Sequence, residues 1–199
     1  MILVLSIAAA AATAAAADDK EKEKRFAPGP AASYAAKQTN AGITIAVDSF
    51  ESKEKAKLAF GKVSPYEEGV LPVLVVIQND SKQAVRVDSM QAEYISADRQ
   101  RIEATPPDEV KYVAGGRPVS LGPSRIPGDP RTSRRRKNKL DIWEIEGRAF
   151  SAKMLPPGES AHGFVYFRAA HRTGAKLYIN GLREAATGKD LFYFEIPFE

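Results

Sequence analysis

An all-β, antiparallel β-sandwich is the fold class this sequence predicts, with seven to nine strands and one or two short helical turns. Three observations predict it. Apolar residues recur with period two in short runs, as at Ile43, Ile45 and Val47, which is the spacing of a strand with one buried face. Turn-forming clusters such as Gln78-Asn79-Asp80-Ser81 and Leu155-Pro156-Pro157-Gly158-Glu159 separate those runs. Segments with helical spacing are few and short.

Residues 1–17 precede all of this. They are uncharged, run from Ile2-Leu3-Val4-Leu5 into an alanine tract, and meet Asp18-Asp19-Lys20 after Ala15-Ala16-Ala17. That is the pattern of a secretory signal peptide cleaved after Ala17. The alternative is an uncleaved anchor. A spanning helix needs about 20 apolar residues, and this stretch is shorter and dominated by weakly hydrophobic Ala. The expected location is periplasmic or secreted, with membrane contact only transient, through the signal peptide. The chain has no cysteine. That excludes a lipid anchor on Cys, thiolate chemistry and any Cys-based metal site, and it leaves packing alone to stabilise the fold.

Residues 18–40 read as a disordered tether. Asp18-Asp19-Lys20-Glu21-Lys22-Glu23-Lys24-Arg25 alternates in sign, and Ala27-Pro28-Gly29-Pro30-Ala31-Ala32-Ser33 follows. Neither stretch holds much apolar surface to bury. The domain itself is expected over residues 41–199.

Its elements follow in order. Ile43, Ile45 and Val47 mark the first strand. Residues 51–61 suit a short helix, with Glu51 and Lys55 at i,i+4 and Gly61 as the stop. Ser64-Pro65-Tyr66-Glu67 has the form of a capping box on a helical turn. Residues 70–77 are continuously apolar, the mark of a strand covered on both faces, and Pro72 must lie near its start. Val85, Val87, Met90, Ala92 and Tyr94 continue the alternation, and Asp98-Arg99-Gln100-Arg101 breaks it as a hairpin does. A helical turn through Val110 and Val113 is closed by Gly115-Gly116. Phe150, Ala152 and Met154 resume a strand. Residues 163–167 and 176–179 form two more, the second ending at the turn pair Asn180-Gly181. Phe192, Phe194, Ile196 and Phe198 share one face of a terminal strand.

Many short strands with turns between them are the sequence form of an immunoglobulin-like sandwich. Two stretches sharpen this: Val75-Val76-Ile77-Gln78-Asn79-Asp80-Ser81, and Leu155-Pro156-Pro157-Gly158-Glu159 leading to Gly163-Phe164-Val165-Tyr166-Phe167. They resemble the "V-x-V-x-N-x-S" strand end and the "L-x-P-G-E … G-x-V-x-F" hairpin of uncharacterised immunoglobulin-like β-sandwich domains in bacterial secreted and envelope proteins. The resemblance spans residues 43–198 apart from the basic segment described next. It implies a non-catalytic domain and carries over no functional residues.

Formal net charge is +4, yet residues 115–142 alone hold eight Lys/Arg against two Asp. The remainder of the chain is therefore slightly acidic. Arg131, Arg134, Arg135, Arg136, Lys137 and Lys139 lie within nine positions of this Pro- and Gly-rich insertion. One reading is an electrostatic patch for an anionic envelope polymer or membrane surface. The other is a solvated insertion, open to proteolytic nicking. No aromatic residue interleaves the cations, so the stacking platform of single-strand binders is missing and sequence-specific nucleic-acid binding is not expected. Trp143, beside the insertion, is either an anchor for its return or a contact residue for a partner.

Other chemistry finds little support. Gly158-Glu159-Ser160-Ala161-His162-Gly163 misses the G-x-S-x-G spacing of a nucleophile elbow and leads into a strand, not a helix. Ser160 and His162 would share one face of that strand. His162 and His171 are the only histidines, too few for a standard zinc site without cysteine. Glycine-rich phosphate loops and the calcium-loop pattern are absent. Asn79-Asp80-Ser81 matches a glycosylation sequon, but its turn position accounts for it. The sequence therefore points to a non-enzymatic extracytoplasmic interaction or structural module of the cell envelope, without a cofactor. Its partner is an unidentified protein or an anionic envelope polymer, and its oligomeric state is left open.

Overall fold

The computed structural model describes residues 26–61, 63–113 and 142–198. The proposed leader, the start of the tether and all of 114–141 lie outside them. The described residues form eleven strands, three short α-helices and two 3-10 turns. Eight of the strands have three or more residues. The other three, β4 (Val85–Arg86), β7 (Met154–Leu155) and β10 (Arg183–Glu184), are two residues each. The sequence reading arrives at a smaller number because it runs Val85 on to Tyr94 as one alternation, gives 37–40 to the tether and the start of 101–103 to a break, and marks nothing at 183–184.

All strand pairs within the sheets are antiparallel. The first sheet runs β1-β2-β3-β8, from β1 (Lys37–Asn40), β2 (Ile43–Ser49), β3 (Leu71–Asn79) and β8 (Ser160–Phe167). The second runs β11-β9-β5-β6, from β5 (Gln91–Ile95), β6 (Arg101–Glu103), β9 (Lys176–Asn180) and β11 (Phe194–Pro197). With β1 set aside, β2-β3-β8 against β11-β9-β5-β6 is the A-B-E against G-F-C-C′ order of an immunoglobulin-like sandwich. The two-residue strands make a third, small sheet, β10-β4-β7.

The continuous apolar run of β3 has a simple cause. Leu71, Val73, Val75 and Ile77 face the second sheet and pack with Ala92, Tyr94, Leu177, Ile179, Phe194 and Ile196. Leu74 and Val76 point the other way, into a second core with Phe50, Phe60, Phe164 and Tyr166. A helical layer covers that side: Ala59 and Phe60 come from α1 (Lys53–Phe60), Val110 from α2 (Val110–Val113) and Ile145 from α3 (Ile142–Arg148). The first sheet is thus the middle of three layers. Pro72 is the second residue of β3, as its missing N–H requires, and its carbonyl accepts the Phe50 N–H at 2.9 Å.

Several expectations are corrected. Residues 26–40, read as tether, pack on the domain. Ala31 is buried, the Phe26 ring lies 5.7 Å from Phe50 and 5.8 Å from Phe164, and Lys37 Nζ donates to the Ala32 and Tyr34 carbonyls at 2.9 and 2.7 Å. The Phe26 ring, the buried Ala31 and the pairing of 37–40 with 43–46 together order what composition alone would leave free. Helix α1 starts two residues later than expected, with the Ser52 hydroxyl accepting Lys55 N–H at 3.2 Å as its cap. Lys55 pairs with Asp48 at 2.7 Å, not with Glu51, which precedes the helix. The Ser64 capping box does not form, and the Ser64 hydroxyl is buried without a partner. Phe150 and Ala152 belong to no strand. They follow α3, which the sequence reading did not foresee, and only Met154 enters one. Phe192 is 71% exposed, because the terminal strand begins at Phe194.

Gly163 shows why the "G-x-V-x-F" pattern needs its glycine. The chain returning from α3 crosses directly over it, so a Cβ there would sit 2.4 Å from Phe150 Cα. The crossing is held by the Phe150 N–H, which donates to the Phe164 carbonyl at 2.9 Å. The clash is with backbone and cannot be relieved by turning a side chain. Gly163→Ala is expected to destabilise the fold by about 1–3 kcal/mol, read as a lower midpoint in urea unfolding at unchanged slope.

Candidate functional site

The described residues form a groove of about 460 Å³ where α3 meets the edge strand β8. Phe26 and Phe164 line its apolar side. Glu144 and Arg148 line it from α3, His162 from β8, and Ser151 from the chain that follows α3. Local sequence explains the helix wall. Glu144 and Arg148 are one helical turn apart, and Arg148 Nε donates to the Glu144 carboxylate at 3.0 Å. The guanidinium also lies 6.0 Å from the Phe60 ring centre. Its charge is therefore already engaged on two sides.

Two contacts fix α3 to the sheet. Ile145 is buried in the second core. The buried Tyr166 hydroxyl donates to the Ile145 carbonyl at 2.8 Å. Burial pushes the Tyr166 phenol far above its usual range, with Arg148 opposing and Glu144 adding to the shift. At any ordinary pH it is a neutral hydrogen-bond donor. Phe164 itself sits in an aromatic group, 4.9 Å from Phe50 and 4.8 Å from Phe60. The apolar wall of the groove is thus firmly held, and the Glu144–Arg148 pair on its polar rim is neutral in sum.

The sequence-predicted residues fall as follows. Arg131, Arg134, Arg135, Arg136, Lys137 and Lys139 lie outside the described residues. Trp143 is the second residue of α3, so the helix bounding the groove grows directly from the end of the basic segment; its side chain lies outside the description. Ser160 and His162 are exposed, two apart on the edge strand β8, as expected. Only His162 reaches the groove. Among the described residues no group of three or more His, Asp or Glu is arranged to hold a metal, and no helix is long and apolar enough to cross a membrane. The sequence reading missed α3 and hence the groove. The spacing of Ile142 to Ile145 and of Glu144 to Arg148 is helical, but seven residues are too few for it to stand out.

A second surface lies on the outer face of the sheet β11-β9-β5-β6. Tyr178 and Tyr193 stack at 5.4 Å and 29°, and the Arg101 guanidinium lies 5.0 Å over Tyr178. Arg101 also pairs with Glu93 at 2.9 Å, and Lys176 with Glu195 at 2.7 Å. Exposed ion pairs of this kind add little stability.

The Tyr166 bond gives a direct test of how α3 is held. Tyr166→Phe leaves the Ile145 carbonyl buried and unsatisfied. It is expected to cost about 1–3 kcal/mol and to speed amide exchange in 142–148 more than in β3. Unchanged exchange in the helix would show that Ile145 packing alone holds it.

Compared with known proteins, the chain matches no family description and no curated protein. Among solved structures it is similar to MPT63, a secreted protein from Mycobacterium tuberculosis, at 14% identity and a TM-score of 0.35, over 84% of this chain and 95% of that one. It is also similar to the X-ray structure of Northeast Structural Genomics Consortium target SoR45, at 14% identity and a TM-score of 0.36, over 79% of this chain and 84% of that one.

Proposed function

We propose that the chain is a non-enzymatic interaction or structural module that acts outside the cytoplasm, in the cell envelope. The observation that carries this reading is the use to which the fold puts its signature residues. Asn79, Gly158, Gly163 and Tyr166 tie strands, turns and helix together. Ser160 and His162, the pair a hydrolase reading would need, are exposed on an edge strand. The leader-like first 17 residues support the location.

A second reading places the binding activity in the basic segment. Six cations within residues 131–139 are the densest run of positive charge in the chain. They would dock to an anionic polymer or membrane surface, releasing counterions as they do so. The sandwich would then be the scaffold, and Trp143, at the junction, a contact residue.

Co-sedimentation of residues 18–199 with envelope preparations, across a salt series, separates the two. The paired variant carries Arg134→Gln, Arg135→Gln, Arg136→Gln and Lys137→Gln. Binding that resists salt and survives in the variant is the outcome expected of a module docking through its sandwich surfaces. Binding that weakens steeply with salt, and whose salt slope drops by about one for each phosphate-like contact removed, assigns the activity to the segment. Absence of binding by either protein contradicts both readings, and a turnover abolished by one polar substitution overturns the non-enzymatic assignment.

A further inference from the structure

The end of the sandwich away from the small sheet is closed by the connection between β8 and β9, residues 168–175. One side chain on it, His171, joins several elements. Its Nδ1 lies 3.3 Å from the Tyr94 hydroxyl of β5. Its backbone N–H donates to the Tyr66 hydroxyl at 3.2 Å, and Tyr66 belongs to the 3-10 turn Pro65–Glu68. Its ring meets Phe198, just past β11, edge-on at 5.0 Å and 86°. The next residue, Arg172, donates its backbone N–H to the Tyr94 hydroxyl at 3.3 Å.

The Tyr94–His171 contact runs from hydroxyl to ring in the neutral tautomer that carries its hydrogen on Nε2. The Tyr94 oxygen accepts from Arg172, so its own hydrogen is free to point at Nδ1. Nδ1 is then the bare, accepting nitrogen of a neutral imidazole. A second proton on the ring puts a hydrogen on Nδ1 facing that hydroxyl, and Tyr94 loses the acceptor for its own. It also charges a half-buried ring, and burial disfavours the charged form.

We propose that His171 is an acid-sensitive latch: as the neutral imidazole it holds the 168–175 connection onto Tyr94 and Phe198, and its protonation loosens that connection and uncovers the aromatic end of the sandwich.

The charged and titratable groups facing it come from four sides. Glu51, before α1, favours the imidazolium, and Lys55 of α1, itself paired with Asp48, disfavours it. Tyr66 and Tyr94 are neutral hydroxyls, with burial raising the Tyr94 phenol. Arg172 adds a cation on the connection itself. Glu199, beyond Phe198, lies outside the described residues. Burial is the largest influence on His171 and lowers it below the ordinary 6.5, with Lys55 in the same direction and Glu51 opposing. The sign follows from linkage. The unfolded chain binds the proton more readily, so the latch is at full strength above 6.5 and weakens as pH falls toward the lowered value.

The chain has only two histidines, which makes the test clean. Imidazole proton signals of the full chain are titrated by NMR, with His162→Gln assigning them, and amide exchange over 168–175 is followed from neutral pH to pH 5. His171 is expected to titrate below 6.5. Protection of 168–175, corrected for intrinsic exchange, should fall by up to about tenfold for each unit of that lowering, while β3 stays protected. His171→Phe, which retains a ring against Phe198, should abolish the pH dependence, and His162→Gln should retain it. Titration of His171 at or above 6.5, or the same acid loosening in His171→Phe, overturns the proposal.

Discussion

The buried side chain of Asn79 is the constraint on which the rest of this sandwich depends. It is fully buried at the end of β3. Its amide donates to the Leu155 carbonyl at 2.8 Å and the Gln83 carbonyl at 2.9 Å. Its oxygen accepts the Ser81 N–H at 3.0 Å and the Ser81 hydroxyl at 2.6 Å. Its backbone N–H donates to the Glu159 carbonyl at 2.9 Å, and its backbone carbonyl accepts the Gly158 N–H at 2.7 Å. One residue thereby joins the end of β3, the following turn, the start of the small sheet and the hairpin entering β8. Both hydrogens of the amide are used inside the fold, so the sequon match at Asn79 leaves no free acceptor site for a glycan in the folded chain.

From that pin the layers follow. It sets where β3 stops and β8 begins, and so the long register between them, from Leu71 opposite Phe167 to Gln78 opposite Ser160. The register puts Gly163 under the returning chain, which lets Phe150 bond to Phe164 and brings α3 down onto Tyr166. The groove between α3 and β8 is the outcome of that crossing. At the opposite end the closure is made by the His171 connection. The two ends differ in kind: a fully satisfied carboxamide network insensitive to pH, and an imidazole contact that titrates.

Much of this was legible in the sequence, and the reason is local. Period-two alternation revealed β2 and the paired strands of the second sheet. The unbroken run in β3 signalled burial on both faces. The two motifs, read only as recurrent strand end and turn, prove to be hydrogen-bonded partners 76 residues apart, through Asn79 and Leu155. What was not legible depends on tertiary contact. Phe192 fits the apolar alternation of β11, but the chain enters the strand two residues later. Residues 26–40 look unstructured by composition and are ordered by tertiary contact: Phe26 between Phe50 and Phe164, Ala31 in the core and 37–40 paired with β2. Helix α3 has only seven residues, too few for a periodicity to stand out beside a charged segment. His171 gave no signal, because its neighbours come from β5, a 3-10 turn and the last residues of the chain.

The most direct test of the Asn79 pin is equilibrium unfolding of Asn79→Ala beside the parent chain. The substitution removes the side-chain donor to the Leu155 carbonyl, leaving it only its ladder position opposite Val85, and frees Ser81 and Gln83. The account predicts a loss of about 2–4 kcal/mol, with the 156–159 turn and the small sheet exchanging their amides first. A loss below about 1 kcal/mol, the value of one ordinary hydrogen bond, with that end of the sandwich still protected, would contradict it.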